Sequence, residues 1–375
     1  MVSIARAALI YEWRRFLPAA LAVAFAGLLV QVQLSLLLGM FSSISVYIDR
    51  SSADLWVGYP GTQSVDLARP IPGKISNHLR MHPEVSAVER FTWTVGDWKR
   101  PQGGKLSAVL IGIDPSPDAM TFAYLLTPEL RQLLNEPGNV LVDIADLEKL
   151  GVAVGDYTEV LGRRVRVAGT VNGMRSMGGA NVLTSLSTAR RIDPYLRRDT
   201  TDYFLLRLHH PSQAEAVRDA LQPTGSFKQF QVWTAEEFSI QSQAYWLFES
   251  GAGAGFLFSS ALGLLVGIVI TSQTLMGAIV AALREYATLR ALGVSSGSLR
   301  AVVLEQSFWV GMAGQVITFA VGAVLVMLAR AAHVSLELPI WGCIATAVLV
   351  LSIALLSGLA ALRALNQAEP FTLLR

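Results

Sequence analysis

Four apolar runs in this sequence are each long enough to cross a bilayer as a helix. They cover residues 17–41, 251–283, 301–329 and 339–362. A hydrocarbon layer of about 30 Å needs roughly 20 helical residues to span it. In lipid every backbone N–H and C=O must also be satisfied within the protein, which leaves helices or closed barrels as the spanning forms. The runs are too long and too uniformly apolar for barrel strands, so they predict an α-helical membrane protein with four transmembrane helices. The charges divide the chain the same way: residues 41–250 hold 21 of the 30 Lys and Arg and 23 of the 28 Asp and Glu. A polar domain of about 210 residues is therefore set between the first span and the other three.

The first run follows Arg14 and Arg15, as the apolar core of a signal peptide would. It exceeds the usual stretch of roughly 7–15 residues and no A-x-A site follows, so an uncleaved signal anchor is expected. Orientation is read from short loops, where Lys and Arg stay in the cytoplasm. Arg6, Arg14 and Arg15 precede the first run, Arg284, Arg290 and Arg300 separate the second from the third, and Arg363 and Arg375 follow the fourth. The loop of residues 330–338 carries only Arg330. Segments 1–16, 284–300 and 363–375 are thus expected on the cytoplasmic side of the cell (inner) membrane. Residues 42–250 are expected to form an extracytoplasmic domain.

That domain reads as α+β. Residues 54–57, 106–113, 202–208 and 227–233 have strand character, and residues 72–81 and 211–221 read as helices, the latter with Pro211 at its start. Residues 139–171 suggest a strand, a helical turn or two, a Gly-Asp turn and a hairpin around Leu161 and Gly162. The expectation is a split α/β lobe with a small β-rich lobe inserted at about residues 138–190. Residues 234–250 begin with a capping box, Thr234 to Glu237, and are expected to form a helix running straight into the second span.

A search for chemistry returns little. The sequence has no G-x-x-x-x-G-K-[ST] and no H-E-x-x-H, so neither a phosphate-binding loop nor a zinc-protease motif is present, and no catalytic residue is assigned. His78 and His82 share a helical face without a third ligand nearby, which favours a solvated pair over a metal site. His209 and His210 adjoin Pro211 and suit a turn. A net charge of +2, with no basic-aromatic repeat, argues against nucleic acid as a partner. Cys343 lies in an apolar run and reads as an inert thiol. No ionisable residue falls at mid-depth in any span, with Gln31, Gln33 and Gln273 the main polar exceptions, so an ion-coupled transporter loses ground.

The second span carries small residues at every fourth position: Gly255, Ser259, Gly263, Gly267 and Thr271. Such a stripe lets helix backbones approach closely, either within one subunit or across a homodimer seam. Aromatic residues gather where the outer domain meets the lipid, Tyr47, Trp56 and Tyr59 after the first span and Tyr245, Trp246 and Phe248 before the second. An interfacial belt accounts for them. A lining for an amphipathic cargo, with Tyr47, Trp56, Trp246 and Phe248 as its contacts, is the functional alternative.

The polar gap between the second and third spans, ALREYATLRALGVSSGSLR at residues 282–300, predicts a short helix stopped by Gly293 and a new helix capped by Ser295 or Ser296. Its apolar residues lie on more than one side, so a partner is wanted beyond the membrane body; a plain positive-inside loop is the simpler reading. R-E-Y-A-T-L-R-A-L-G, followed by a Ser-rich turn and L-R-x-x-V-x-x-E, resembles the cytoplasmic coupling segment of MacB/FtsX-like permeases, the membrane subunits of type VII ABC transporters. The ending R-A-L-N-Q-A-E-P-F-T-L-L-R and the order of one span, a large outer domain and three spans resemble that family too. D-L-W-V-G-Y-P after the first span is most similar to its DevC/HrtB-like branch, without a fused ATPase.

The resemblance implies a homodimer bound to two copies of a separate ATPase, which would carry the ATP and Mg; no cofactor is expected in this chain. Arg284, Glu285, Thr288, Leu289, Arg290, Leu292 and Gly293 would enter a groove of that ATPase. Its motion would pass through the short helices to the outer domain and expel an amphipathic or hydrophobic cargo from the outer leaflet or periplasm (mechanotransmission), with a periplasmic adaptor as a further partner and membrane lipid around the spans. The alternative within the same architecture is an FtsX-like signalling subunit that activates an extracytoplasmic partner and moves no cargo. An enzyme has no motif support.

Overall fold

The computed structural model describes residues 11–175, 179–196, 199–223, 228–281, 295–331 and 339–367. The chain divides into two compact units, Met40–Gly253 and the pair Met1–Gly39 with Ala254–Arg375.

The elements run in chain order as helix α1 (Trp13–Ile44), α2 (Val46–Asp49), strand β1 (Leu55–Gly58), β2 (Ile71–Pro72), α3 (Ile75–Arg80), β3 (Val85–Lys99) and β4 (Lys105–Ile113). Then come α4 (Pro128–Leu133), β5 (Asn139–Asp143), α5 (Leu147–Leu150), β6 (Tyr157–Val160), β7 (Arg163–Val171), β8 (Ala180–Ser185), α6 (Leu186–Ile192), β9 (Thr200–Thr201) and β10 (Tyr203–Leu208). The rest are α7 (Ala214–Leu221), β11 (Gln231–Thr234), α8 (Ala235–Ala244), α9 (Ala252–Ala281), α10 (Ser296–Ala331) and α11 (Ile340–Gln367).

In the unit Met40–Gly253 nine strands form one sheet in the order β11-β1-β10-β3-β4-β8-β5-β7-β6. Strand β3 is its spine. Its first half, up to Phe91 opposite Tyr203, pairs with β10; from Thr92 opposite Gly112 it pairs with β4. Beyond that switch the sheet curls until β6 meets the far end of β3, with Val160 opposite Trp98, and closes a small barrel. The β-rich lobe expected at about residues 138–190 is the larger part of this barrel, which also takes β4 and the second half of β3. β3 itself has no counterpart in the sequence reading. Its buried Glu89 and Thr92 interrupt the apolar alternation by which a strand is recognised.

Side chains alternate along the strands and sort into separate cores. Trp98, Leu110, Val140, Val142, Val165, Val167 and Val182 fill the barrel. In the open half-sheet Trp56 faces Phe91, Tyr203, Trp233 and Phe238 on one side, while its neighbours Leu55 and Val57 face Ile71, Leu79 and Val217 on the other. β1 is therefore buried on both faces, with α3 and α7 covering the second. The hairpin between β6 and β7 turns through Leu161 and Gly162, both at positive φ, as a two-residue turn of matching twist requires. The free edge of β11 is covered by Gln222, whose amide donates to Val232 O at 2.6 Å and accepts from Val232 N at 3.4 Å.

The capping box at the start of α8 forms, with Thr234 Oγ1 accepting from Glu237 N at 3.2 Å and Glu237 Oε2 accepting from Thr234 N at 3.4 Å. The helix does not run straight into the second span. Tyr245–Glu249 is a π-helical turn, Gly251 takes a left-handed φ of +79°, and a new helix starts at Ala252. A methyl group at Gly253 would lie 1.8 Å from Leu247 O, so the chain turns there only because that side chain is absent.

Among the described residues, four helices are long and apolar enough to cross a membrane, over Trp13–Ile44, Gly253–Thr274, Arg300–Ala329 and Ile340–Leu359. They approach α1 through small residues. A methyl at Gly314 would meet Val23 at 2.5 Å, one at Gly27 would meet Thr318 Oγ1 at 2.5 Å, and one at Gly267 would meet Ala26 at 2.7 Å. Thr318 Oγ1 donates to Ala24 O at 3.2 Å, binding α10 to α1.

Candidate functional site

The residues expected to couple to an ATPase, Arg284, Glu285, Thr288, Leu289, Arg290, Leu292 and Gly293, lie outside the described residues. The helix that follows them is described from its cap: Ser295 Oγ accepts from Ser298 N at 3.2 Å, which starts α10.

The small-residue stripe of the second span divides in two. Gly267 packs on Ala26, and Ser259 Oγ accepts from Gln33 Nε2 at 3.0 Å, so both serve contacts with α1. Nothing stands within 4 Å of a methyl built on Gly255 or Gly263. Around them Leu257, Phe258, Leu262, Leu265 and Val266 are exposed, which leaves this length of α9 an apolar face with open notches. Gln315 and Gln306 on α10 are also buried, two polar positions the sequence reading passed over.

The aromatic residues also part company. Tyr47 and Trp56 are buried in the core of the outer unit, where Trp56 stacks edge-on to Phe91 and Tyr203 at 5.6 and 5.5 Å. Enclosed by protein, they present no ring face to a cargo in this structure; the apolar packing of the half-sheet accounts for them. Trp246 is half-buried, its Nε1 donating to Asp66 Oδ1 at 3.2 Å, and Phe248 is 73% exposed.

Where the chain enters and leaves the outer unit, α2 and α8 are joined by side chains that sequence reading missed. Asp49 accepts from Ser45 Oγ at 2.5 Å and from Ser239 Oγ at 2.7 Å, and Gln243 Nε2 donates to Ser45 Oγ at 2.9 Å. The only sequence signal was a pair of polar residues four apart on each short helix, Ser45 with Asp49 and Ser239 with Gln243. From the same α2, Tyr47 Oη donates to Asn181 Oδ1 on β8 at 2.9 Å, a fully buried bond.

The strap of residues 114–126, which leads from β4 towards α4, is held by two buried ionisable side chains, Glu89 and Arg131. Glu89 on β3 accepts from the backbone N–H groups of Met120 and Thr121 and from Thr121 Oγ1 at 2.6 Å. Arg131 on α4 donates to Asp114 O at 3.2 Å, Ala119 O at 3.2 Å and Thr121 O at 2.6 Å. Burial raises the Glu89 pKa against these hydrogen bonds and lowers that of Arg131 against its acidic neighbours. His82 Nδ1 accepts from Glu84 N at 3.3 Å and His210 pairs with Glu84 at 2.9 Å, while His78 lies against the Phe230 ring. Among the described residues no cluster of three His, Cys, Asp or Glu could hold a metal ion.

Four apolar helices with a mixed α/β domain between the first two define a polytopic membrane protein with an extracytoplasmic domain. Two family models cover most of it: the MacB-like periplasmic core domain matches residues 16–224, more than half of the chain, and the FtsX-like permease C-terminal domain matches residues 257–370. The chain belongs to the MacB/FtsX-like family of ABC transporter permeases, non-catalytic subunits whose architecture implies an ABC ATPase partner.

Similar solved structures include the periplasmic region of MacB from Actinobacillus actinomycetemcomitans (16% identity, TM-score 0.36, 50% of this chain and 92% of that one). The extracellular domain of the noncanonic ABC-type transporter YknZ from Gram-positive bacteria is another (13% identity, TM-score 0.34, 48% and 98%). A domain of a permease protein from Porphyromonas gingivalis is a third (15% identity, TM-score 0.32, 46% and 81%). No curated protein matches the chain.

Proposed function

We propose that this chain is the membrane subunit of an ABC exporter that works with a separate ATPase and expels an amphipathic or hydrophobic cargo from the outer leaflet or periplasm. The observation that carries the reading is the pairing of the two family matches, residues 16–224 and 257–370, on a sequence with no phosphate-binding loop. Energy must then come from a partner, and the polar segment 284–293 between two spans is where that partner docks. The absence of ionisable side chains at mid-depth in the spans fits a machine that moves cargo outside the lipid rather than through a charged channel. The open face of α9 around Gly255 and Gly263 suits a second copy of the chain, giving a homodimer on two ATPase copies that hold ATP and Mg.

The test is assembly in nanodiscs of the full chain with the ABC ATPases of the same organism, each tried in turn. One of them should copurify with it, and replacing residues 284–293 with a Gly/Ser linker should reduce ATPase binding to background while leaving the melting of the outer unit unchanged. An intact chain that binds no ATPase in lipid defeats the proposal.

A further inference from the structure

Helix α2 is four residues long, yet three parts of the outer unit meet on it. One is the end of α1, one residue upstream. The second is α8, through Asp49, Ser45, Ser239 and Gln243. The third is the barrel, through Tyr47 and Asn181. The third is unusual in kind. Asn181 is a fully buried amide in a strand of otherwise apolar and hydroxyl residues, paired beside Val109 inside the sheet. Its Oδ1 accepts from Tyr47 and its Nδ2 donates to Met174 O, while Met174 N donates to Asp143 Oδ2 at 2.7 Å. The chain of bonds thus reaches β8, the end of β5 and the segment that follows β7, two strands of the barrel and the exit of a third.

Apart from this chain, the barrel joins the half-sheet through the run of β3 and through the apolar packing of Val109, Ile111, Leu141 and Leu183 with Trp56, Tyr203 and Phe238, which is non-directional. A buried hydrogen bond between two polar side chains is directional, and in a low-dielectric core it is costly to leave unmade. It fixes orientation in a way that the ring contacts of Tyr47 with Phe91 and Phe122, at 6.0 and 6.2 Å, do not.

We infer that Tyr47 and Asn181 are the positioning pair that locks the barrel to α2 and α8, the helices next to the first two spans in the chain, so that the barrel follows those helices as one body. The use of this lock, to carry ATP-driven movement into the barrel, rests on the export reading. The lock itself does not, and the test reads the lock alone.

Full-length protein in nanodiscs, with Cys343→Ser as background, would carry nitroxide labels at Ile240 on α8 and Lys105 on β4, both exposed. Pulsed electron paramagnetic resonance then gives the α8-to-barrel distance distribution. Tyr47→Phe keeps the ring and removes the hydroxyl; Asn181→Leu removes the acceptor. Each should broaden the distribution, and the double variant should broaden it no further than either alone. Tyr203→Phe is the control, because it removes an equally buried bond, to Val65 O at 2.9 Å, that does not involve the barrel. It should lower the melting temperature and leave the distribution sharp. Wild-type distributions in Tyr47→Phe and Asn181→Leu would overturn the inference. So would equal broadening in Tyr203→Phe, which would mean general loosening. Loss of ATPase binding would instead count against the export reading and leave this result standing.

Discussion

Asp202 occupies the point where β3 changes partners. Its Oδ2 accepts from Trp93 N at 2.8 Å, one residue into the barrel half of the strand, and Thr94 Oγ1 donates to Asp193 Oδ2 at 3.1 Å beside it. Burial, opposed by the Trp93 hydrogen bond and reinforced by the Asp193 charge, pushes the Asp202 pKa up from 3.8 to about 6. A raised carboxyl pKa means that the folded state holds a proton the unfolded chain releases. The stabilisation from that proton is complete below 3.8 and is lost as pH rises through about 6, a change of about 3 kcal/mol in all. Acidifying the full-length protein from about pH 7.5 to about pH 5 should therefore raise the melting of the outer unit, followed by tryptophan fluorescence. Asp202→Asn, whose amide oxygen can still accept from Trp93, should flatten that dependence and melt higher than wild type near neutral pH.

Glu89 answers to the same physics with the opposite mutational sign, because it is fully engaged. Glu89→Ala strips an acceptor from two backbone N–H groups and a hydroxyl, and removes the carboxylate near buried Arg131. It should cost about 3–5 kcal/mol by chemical denaturation. Neither carboxylate was legible in the sequence, where each is one Asp or Glu among many in a polar domain; burial, the property that matters, comes from tertiary packing.

Individual elements were legible in proportion to how local their causes are. The capping box at Thr234 and the Leu161–Gly162 hairpin depend on residues within a turn of each other, and both could be named from spacing. Strand β3 depends on neighbours far away in sequence, β10 on one half and β4 on the other, and its own pattern is broken by charges that those neighbours bury. The joint between α8 and α9 misleads in another way. Gly251 and Gly253 fall within the expected second span, residues 251–283, whereas they make a bend. Gly251 is open to solvent at positive φ, so Gly251→Ala should cost only the left-handed penalty of about 1 kcal/mol. Gly253→Ala must displace the Leu247 backbone and should unsettle the whole π-helical turn. Amide exchange across residues 245–253 separates the two, with little change for the first and strong loss of protection for the second.

For the molecule as a whole, the division into spans and a polar domain follows from hydrophobic length, a property of contiguous residues, and so was plain in the sequence. Which way the spans run is a subtler matter, because a long polar domain crosses the membrane regardless of its charge and only short basic loops set direction. Three of those loops carry arginines on one side and the loop of residues 330–338 carries Arg330 alone. This predicts that Met81, 82% exposed in the outer unit, and Leu289, between the second and third spans, lie on opposite faces of the membrane. In a Cys343→Ser background, Met81→Cys should react with a membrane-impermeant maleimide in intact cells whose outer layers are permeable to it. Leu289→Cys should react only after the cell membrane is opened. The result bears directly on how the protein could be powered. ATP is available on the cytoplasmic side, so a segment at 284–293 that labelled from outside could not meet an ATPase, and an energy-coupled reading of the fold would lose its only point of entry.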